Sequence, residues 1–552
     1  MLPMLDWHYD RYCGKGARMK LIHAAVVVAL CGLSISAAKA DDARGASIPQ
    51  LQTKVDAVLS KVLPAVVGLK KDGKFQGSGV IVTQDGIVLT HGHHGLSVSD
   101  ALSIVLTDGR VVSARLSLWK KSPLYDFSIL QIDGKGPWPH VELGEMDRVH
   151  PGAWCLHLGH PWGIKPGRGP VPRMGWIVEA ADVVLSSSCM IVSGDSGSPL
   201  FDDGGRLIGT CFGLNSLTTD YPANYTSVKV LRQAVAEFRD LEAKSHVVLR
   251  TRIDRRRSIP TWQAAWEPVR KATVQLLCDG KQRALGVIAH QNGLILTKRS
   301  ELFGRISCRL GDDRTFAAKI VASSPSCDLA LVQIPAAGLA AIPWAEHVRT
   351  KNGIVVVVPG SSQSVIGVGI VSDGRIQAIP PKPGRLALEA KQTGTGLFVT
   401  SLLPGSYAAD VLRAGDVITN IDGHGAAALR GFSGIKEIAS RVAGDRIPVA
   451  FVRQGTVQHA EVALSPERNG GEWERQSFSD RRSGFPSVFI HDTVIGPQEC
   501  GGAVIDGSGR VLGINIARAD RHETLTIPAE IVMQELQHLM RDANVHSDNR
   551  SN

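Results

Sequence analysis

The sequence contains two copies of one pattern, and this repetition restricts the possible folds more than any other feature. Residues 76–90 read QGSGVIVTQDGIVLT, and residues 283–297 read RALGVIAHQNGLILT, at an offset of 207. Each block has an apolar run, a turn with a polar residue and glycine, and a second apolar run. That arrangement is typical of a β-hairpin. The chain is therefore predicted to contain one β-rich unit twice.

Two further pairs of segments extend the repeat. Residues 126–132 (DFSILQI) resemble residues 328–334 (DLALVQI) at an offset of 202. Residues 195–209 (DSGSPLFDDGGRLIG) resemble residues 499–513 (ECGGAVIDGSGRVLG) at an offset of 304. The offset grows from 202 to 304, so the second copy holds 102 additional residues between these blocks. This is enough for a small inserted domain, which we place at residues 384–466.

Composition supports a globular, mainly β protein. Of 552 residues, 43% are hydrophobic and 20% are charged, which excludes a disordered chain. The 58 glycines, against 6 tyrosines and 13 phenylalanines, indicate many turns between short strands. The net charge is +9, but the only notable basic cluster lies in a predicted linker at residues 246–262. We therefore predict no nucleic-acid partner.

The N-terminus has the pattern of an export signal. Lys20 precedes an apolar run at residues 24–30, and the sequence Ala38-Lys39-Ala40 resembles a cleavage site. Residues 1–40 are predicted to be a signal peptide, with the mature chain beginning near Asp41. The alternative is an uncleaved membrane anchor, for which the apolar run is short. The predicted location is the periplasm or the exterior of the cell.

The cysteines predict neither a metal site nor a fixed set of disulfides. Nine are present, and seven remain after the predicted signal peptide, an odd number. No spacing determines a pairing, and no cluster has the spacing of a zinc or haem site. Cys155, Cys211 and Cys278 lie in apolar runs, which indicates buried thiols. No cofactor and no metal are expected.

Ser196 is the candidate nucleophile. It lies in Gly194-Asp195-Ser196-Gly197-Ser198, where glycines permit a tight turn that exposes the serine. A serine hydroxyl needs a base to remove its proton. In such a turn the N–H groups of Gly194 and Ser196 can stabilise an oxyanion. Taken alone, the segment is also compatible with an ordinary turn.

Candidates for the base and the acid lie upstream. Residues 89–94 read LTHGHH after a predicted strand, so His91, His93 and His94 are all available. Asp126 begins the apolar run FSIL, and a carboxylate at the start of a buried strand requires a partner. Orienting an imidazole would supply that partner.

These motifs together resemble the trypsin-like proteases of the HtrA (DegP) family. The segments GIVLTHGHH, YDFSILQID and SGDSGSPLFDDGGRLIG are similar to its catalytic His, Asp and Ser motifs. The resemblance implies a double six-stranded β-barrel over residues 48–245 and a triad of His93, Asp126 and Ser196 in its cleft. His94 is the second choice for the base. Ser198 stands where the family commonly has glycine.

The second copy lacks the same chemistry. Carried through the repeat, the nucleophile position is Cys500, the base position is Ser300, and Asp328 is retained. We interpret residues 263–380 and 480–542 as a degenerate protease-like domain kept for structure or binding. A cysteine-dependent hydrolase is the alternative, although a thiol needs a base and an electropositive setting.

The insert at residues 384–466 resembles an HtrA-type PDZ domain. GLFVTSLLPGS and LRAGDVI are the similar segments. The resemblance makes Leu386-Ala387-Leu388 a carboxylate-binding loop that presents N–H groups to a peptide C-terminus, with Ala387 where glycine is common. An ordinary small β domain is the alternative.

The sequence thus predicts an exported serine endopeptidase that acts on unfolded or misfolded proteins. The rival functions are a non-enzymatic peptide-binding or chaperone-like scaffold, and an esterase-like hydrolase with the same triad. The expected partners are unfolded protein substrates and peptide C-termini, and the resemblance allows a homo-oligomer. In the trypsin-like folds that the chain resembles, the residues just before the nucleophile form the floor of the pocket for the substrate side chain. Met190, six residues before Ser196, is not an acid, so the resemblance implies cleavage after apolar residues.

Overall fold

The computed structural model describes residues 48–93, 100–121, 125–214, 222–239, 263–345, 349–361, 365–426, 441–466 and 478–548. The predicted signal peptide, the predicted linker and His94 lie outside these residues. Within the described ranges, no helix combines the length and the apolar character that crossing a membrane requires. The seven cysteines from Cys155 to Cys500 are all buried and free.

The first copy folds as two closed six-stranded antiparallel barrels, as predicted. The strand order is β1-β2-β3-β6-β5-β4 in one barrel and β10-β11-β12-β9-β8-β7 in the other. The strands of the first barrel are β1 (Val66–Lys71), β2 (Lys74–Ile81), β3 (Ile87–Thr90), β4 (Ala101–Val105), β5 (Val111–Lys121) and β6 (Asp126–Ile132). Those of the second are β7 (Trp154–Gly159), β8 (Val171–Ala180), β9 (Val184–Ser187), β10 (Pro199–Phe201), β11 (Leu207–Leu214) and β12 (Ala223–Ser227).

The repeated block at 76–90 forms the hairpin of β2 and β3. Val80 pairs with Leu89, and Ile81 pairs with Val88. Gly86 in the connecting turn has φ +94°, a conformation that favours glycine. Val80 and Ile81 of β2 and all four residues of β3 are buried, which explains why the sequence pattern is apolar on both sides of the turn.

The second copy begins with an open version of the same barrel. Its seven-stranded sheet has the order β17-β16-β13-β14-β15-β19-β18. Two short strands, β17 and β18, take the position that β5 has in the first copy. They are separated at Ala318, and the sheet does not close. The strands are β13 (Thr273–Cys278), β14 (Lys281–His290), β15 (Leu294–Lys298), β16 (Ile306–Arg309), β17 (Thr315–Ala317), β18 (Lys319–Ser324) and β19 (Leu329–Gln333).

The second barrel of this copy is closed, although its strands come from two distant parts of the chain. The order is β20-β21-β30-β33-β32-β31. The strands are β20 (Val355–Pro359), β21 (Val365–Ile379), β30 (Phe485–His491), β31 (Ala503–Asp506), β32 (Val511–Asp520) and β33 (Glu523–Pro528).

A separate β structure is inserted between β21 and β30. Its core is a distinct cluster of buried apolar side chains that includes Val399, Ile418 and Phe451. At its base β22 pairs with β29, which brings the two ends of the insert together. The strands are β22 (Gly384–Arg385), β23 (Leu388–Gln392), β24 (Leu397–Leu402), β25 (Val417–Ile421), β26 (His424–Gly425), β27 (Arg446–Arg453), β28 (Thr456–Ala463) and β29 (Ser465–Pro466).

The two copies share one hydrophobic core. The amphipathic helix α1 buries side chains such as Leu51 and Val55 in a cluster that also contains residues of both copies. The amide of Gln52 in α1 also bonds the backbone of β20, accepting from Val355 N–H at 2.6 Å. The helices are α1 (Ile48–Val62), α2 (Val228–Phe238), α3 (Gln263–Ala272) and α4 (Ala529–Asp548).

Candidate active site

The structure brings His93, Asp126 and Ser196 together in the first copy. His93 follows β3, Asp126 begins β6, and Ser196 lies in the loop before β10. Nε2 of His93 is 3.1 Å from Oγ of Ser196, and its Nδ1 is hydrogen-bonded to Oδ2 of Asp126. The Asp126 side chain is 4% exposed and that of His93 is 33% exposed. An accessible base between a serine and a buried carboxylate is the arrangement that a Ser-His-Asp triad requires.

Hydrogen bonds hold the triad elements in place from both barrels. Oδ1 of Asp126 accepts the Gly92 N–H at 2.7 Å, which fixes the carboxylate. Thr226 of β12 accepts the Asp126 N–H at 3.0 Å. Ser78 of β2 donates its N–H to the Ser196 carbonyl at 2.9 Å. The triad is thus built across the contact between the barrels.

His91 lies outside the triad. It is buried, its Nε2 lies 3.1 Å from the carbonyl oxygen of Gln76, and its ring lies 4.1 Å from the ring of His93. Among the described histidines, only His93 contacts both Asp126 and Ser196.

The loop before the nucleophile directs two backbone N–H groups away from protein acceptors. The carbonyl of Ser193 accepts the Trp162 N–H at 2.8 Å, and the carbonyl of Asp195 accepts the Ser198 N–H at 3.0 Å. In a planar trans peptide unit the N–H points away from the C=O of the same unit. The Gly194 N–H therefore points away from the Ser193 carbonyl, and the Ser196 N–H points away from the Asp195 carbonyl. Neither donates to an acceptor among the described residues. Both are therefore available to an oxyanion.

Two glycines permit the close approach of this loop to its neighbours. Gly197 has φ +81°, and a Cβ there would lie 2.2 Å from the Ser78 carbonyl oxygen. A Cβ on Gly159 would lie 2.1 Å from Oγ of Ser198. The absence of a side chain at Gly159 is what makes room for Ser198, where the HtrA family commonly has glycine.

A buried ion pair lies directly behind the candidate nucleophile. Its only signal in the sequence is a basic residue in an apolar strand. Arg173 of β8 binds both carboxylate oxygens of Asp195 at 2.5 and 2.6 Å, and both side chains are fully buried. Burial opposes ionisation of Asp195, but the charge and hydrogen bonds of Arg173 outweigh it. The pKa of Asp195 is therefore held well below its usual range.

Two buried histidines pack around this ion pair. Nδ1 of His157 lies 3.1 Å from the Tyr225 hydroxyl, and its Nε2 lies 3.5 Å from Asp195. Nδ1 of His160 lies 3.2 Å from Oγ of Ser78. Burial lowers the pKa of each histidine to about 4, and the charge of Arg173 contributes to both shifts. Both are neutral near pH 7.

The residues before the nucleophile form an apolar surface. Cys189, Met190 and Ile191 are buried, and the carbonyl of Met190 accepts a hydrogen bond from Arg173 at 3.0 Å. Met190 occupies the position six residues before Ser196, so no acid lies there to receive a basic substrate side chain. Residues 215–221, which follow β11 in the sequence, are outside the described part of the chain.

The second copy keeps the backbone geometry of the site. Leu285 N–H donates to the Cys500 carbonyl at 2.9 Å, the same contact as that between Ser78 and Ser196. Ser300 occupies the base position, where its hydroxyl donates to Oδ2 of Asp328 at 2.8 Å. The repeat therefore aligns the two sites correctly, and the difference between them is chemical.

Cys500 is sealed from solvent. Its side chain is fully buried, and Oγ of Ser479 lies 3.5 Å from its sulfur. Ser479 is itself fixed because its backbone N–H donates to the Arg518 carbonyl at 3.0 Å. Burial raises the pKa of the Cys500 thiol above its usual value. A protonated and inaccessible thiol is a poor nucleophile.

The predicted carboxylate-binding loop leads into an edge strand of the insert, β23, whose first residue is Leu388. Leu386, Ala387 and Leu388 are all buried, and β23 has β24 as its only neighbour in the sheet of the described residues. The outer edge of β23 is thus open to an added strand. Residues 427–440, which follow β26, are outside the described part of the chain.

Comparison with known proteins supports the two copies. The family model of the trypsin-like peptidase domain matches residues 77–209 and residues 284–418. The second match ends within the insert, whereas the strands that complete that barrel lie at residues 485–528.

The curated relatives match about a quarter of this chain. The chain is 32% identical over 139 residues to "Probable periplasmic serine endoprotease DegP-like" of Brucella suis, which is 24% of this chain and 26% of the relative. A protein of the same name from Ectopseudomonas mendocina is 32% identical over 146 residues, 26% of this chain and 30% of the relative. The match thus spans under a third of each relative.

Solved structures show weaker similarity. "HtrA-type protease AlgW with decapeptide" has 16% identity and a TM-score of 0.29, and covers 75% of this chain and 99% of that chain. The serine endoprotease of Yersinia pestis has 15% identity and the same TM-score, with 75% and 98% coverage.

The barrels and the matched regions define a trypsin-like serine peptidase fold. In the first copy, His93 is in contact with both Asp126 and Ser196. Within this class, the chain is similar to the HtrA and DegP-like serine proteases.

Proposed function

We propose that the protein is an exported serine endopeptidase that hydrolyses peptide bonds in unfolded or misfolded proteins. The observation that carries the proposal is the position of His93, within 3.1 Å of the Ser196 hydroxyl and bonded to Asp126. The relatives named as periplasmic endoproteases support both the activity and the location.

The geometry supports a defined division of roles. Ser196 Oγ attacks the scissile carbonyl carbon while His93 Nε2 removes its proton. Asp126 keeps the imidazole oriented and stabilises its protonated form. The N–H groups of Gly194 and Ser196 donate to the oxyanion of the tetrahedral intermediate. His93 then gives the proton to the departing amine, and water repeats the sequence on the acyl-enzyme.

The other parts of the chain have binding or structural roles in this proposal. The insert at 384–466 acts as a PDZ domain, in which a peptide C-terminus binds at Leu386-Ala387-Leu388 and adds a strand to β23. The second copy, at 263–380 and 480–542, is a degenerate protease domain, because Cys500 is sealed and Ser300 replaces the base.

The test compares the two nucleophile positions with two kinds of substrate. The wild-type protein is expected to degrade casein, Ser196→Ala to lose this activity, and the matched control Cys500→Ala to retain it. Hydrolysis of a small ester without casein cleavage would instead indicate the esterase-like alternative. Peptide binding with neither activity would indicate the non-enzymatic scaffold.

A further inference from the structure

Trp162 has a backbone conformation that its surroundings must maintain. It lies in the loop between β7 and β8 and has φ +57°, a left-handed conformation that is unfavourable for a residue other than glycine. Its N–H donates to the carbonyl of Ser193 at 2.8 Å. That contact sets the orientation of the peptide unit that carries the Gly194 N–H. Trp162 thus lies behind one of the two candidate oxyanion donors.

The side chain of Trp162 is held by the second copy. Its indole Nε1–H donates to Oδ2 of Asp520 at 2.8 Å, across 358 residues of sequence. Asp520 is the last residue of β32, and its other oxygen accepts the Arg521 N–H at 2.6 Å. The carboxylate is therefore fixed to the barrel that contains Cys500. The rest of the Trp162 side chain is exposed.

A second contact from the same copy holds the loop further along. Arg375 of β21 donates to the carbonyl of Gly167 at 2.8 Å, and its guanidinium is itself held by Asp373 at 2.6 Å. Within the loop, Arg168 donates to the carbonyl of Gly163 at 3.0 Å. The loop thus has one face against the nucleophile turn and the other against the second copy.

We propose that the second copy positions the oxyanion hole of the first copy through the Asp520–Trp162 contact. This inference rests on the proposed peptidase function. Asp520 fixes the indole, the indole helps to keep the Trp162 backbone in its left-handed conformation, and the Trp162 N–H fixes the Ser193–Gly194 peptide. Trp162 and Asp520 are positioning residues, because neither is in contact with the triad. A copy without its own nucleophile thereby has a function in catalysis.

The predicted effect lies in turnover and not in substrate affinity. Loss of a whole oxyanion donor typically lowers kcat about 10²–10³-fold. Loosening one such donor should lower kcat by roughly tenfold and leave KM within about twofold, because the donor acts mainly on the transition state.

The experiment is a double-mutant cycle on the full-length protein. Trp162→Phe removes the indole N–H but keeps an aromatic ring, and Asp520→Ala removes the acceptor. Trp119→Phe and Asp108→Ala are the matched controls, since Trp119 is also exposed and Asp108 pairs with Arg110 on the surface. Casein turnover, the rate of labelling by a fluorophosphonate and the melting temperature are measured for each variant.

The inference predicts that each single variant lowers both kcat and the labelling rate by roughly tenfold. The double variant should then lose no more than the more impaired single variant, because both changes break one contact. Variants that behave like the controls, or losses that multiply in the double variant, would overturn the inference. Should Asp520→Ala unfold, Trp162→Phe alone decides. An inert wild-type protein would instead overturn the proposed peptidase function.

Discussion

The guanidinium of Arg173 binds both oxygens of Asp195, the residue immediately before the candidate nucleophile, at 2.5 and 2.6 Å. The pair is fully buried and fixes the turn that presents Ser196. A buried charge of either sign is tolerated only because the other is present.

Removing Arg173 should therefore destabilise the protein strongly. Arg173→Met leaves the Asp195 carboxylate buried without its partner, which costs about 3–5 kcal/mol of unfolding free energy. The control is Arg110→Met, which breaks an exposed pair with Asp108 and should cost less than about 1 kcal/mol. Denaturant unfolding measures both. Equal and small losses would show that the Arg173 pair does not support the fold.

Replacement of the base should nearly abolish turnover. His93→Ala is expected to lower kcat on the order of 10³-fold or more, because the triad acts as a unit. His94→Ala should cost far less. His91→Ala provides a second comparison, since His91 contacts the His93 ring without contacting Ser196. Steady-state kinetics with casein distinguishes them. Similar losses for His93 and His94 would mean that the base has been assigned to the wrong residue.

The stability of the fold should fall as the solution becomes acidic. Burial lowers the pKa of His157, His160 and His491 to about 4, against about 6.5 in an unfolded chain. Above pH 6.5 these histidines are neutral in both states. As the pH falls from 6.5 to 4, these histidines bind protons in the unfolded chain but not in the folded chain, so the unfolding free energy decreases. The expected loss is about 1–3 kcal/mol per imidazole.

Three acids oppose this trend. Burial raises the pKa of Asp492 to about 7, so its destabilising effect disappears as the pH falls from 7 towards 3.8. Burial also raises the pKa values of Asp328 and Glu499, which act in the same direction through smaller shifts. The three histidines have the larger combined effect, so a net loss is expected. Denaturant unfolding between pH 7 and 4.5 measures it, with exposed His140→Gln as a control that should follow the wild-type curve. An unfolding free energy independent of pH over this range would contradict the burial of neutral histidines.

Cleavage should follow small or medium apolar residues such as Val, Ala or Leu. The surface formed by Cys189, Met190 and Ile191 is buried and apolar, and the Arg173 guanidinium donates to the Met190 carbonyl. A basic side chain would be desolvated without a counter-charge, whereas an apolar one gains roughly 1–3 kcal/mol from burial. Mass-spectrometric mapping of cleavage sites in a denatured protein checks this. Cleavage mainly after Lys or Arg would show that these residues do not form an apolar pocket for the substrate side chain.

The closed barrels were expected from the resemblance to the HtrA family, whereas the repeat in the sequence was sufficient to predict the hairpins and the alignment of Cys500 with Ser196. These features depend on local apolar patterns and tight turns, which a sequence displays directly. The open barrel of the second copy was not predicted, because the interruption of its strand at Ala318 leaves the apolar pattern on either side intact.

Contacts between residues far apart in the chain could not be predicted from the sequence. Arg173 and Asp195 are 22 residues apart, and Trp162 and Asp520 are 358 apart. No periodicity or spacing links such pairs, since their contact depends on how whole barrels pack. The candidate triad could be predicted from the sequence because each of its residues lies in a local motif similar to one of the HtrA family.

The assignment of Ser196 as the nucleophile is tested most directly by labelling the full-length protein with a fluorophosphonate. Mass spectrometry then identifies the residue that carries the label. Activation of Ser196 by His93 predicts that the label is attached to Ser196, that Ser196→Ala and His93→Ala abolish labelling, and that Cys500→Ala labels as the wild type does. A folded wild-type protein in which Ser196 stays unlabelled, or in which the label depends on Cys500, would contradict the assignment of Ser196 as the nucleophile.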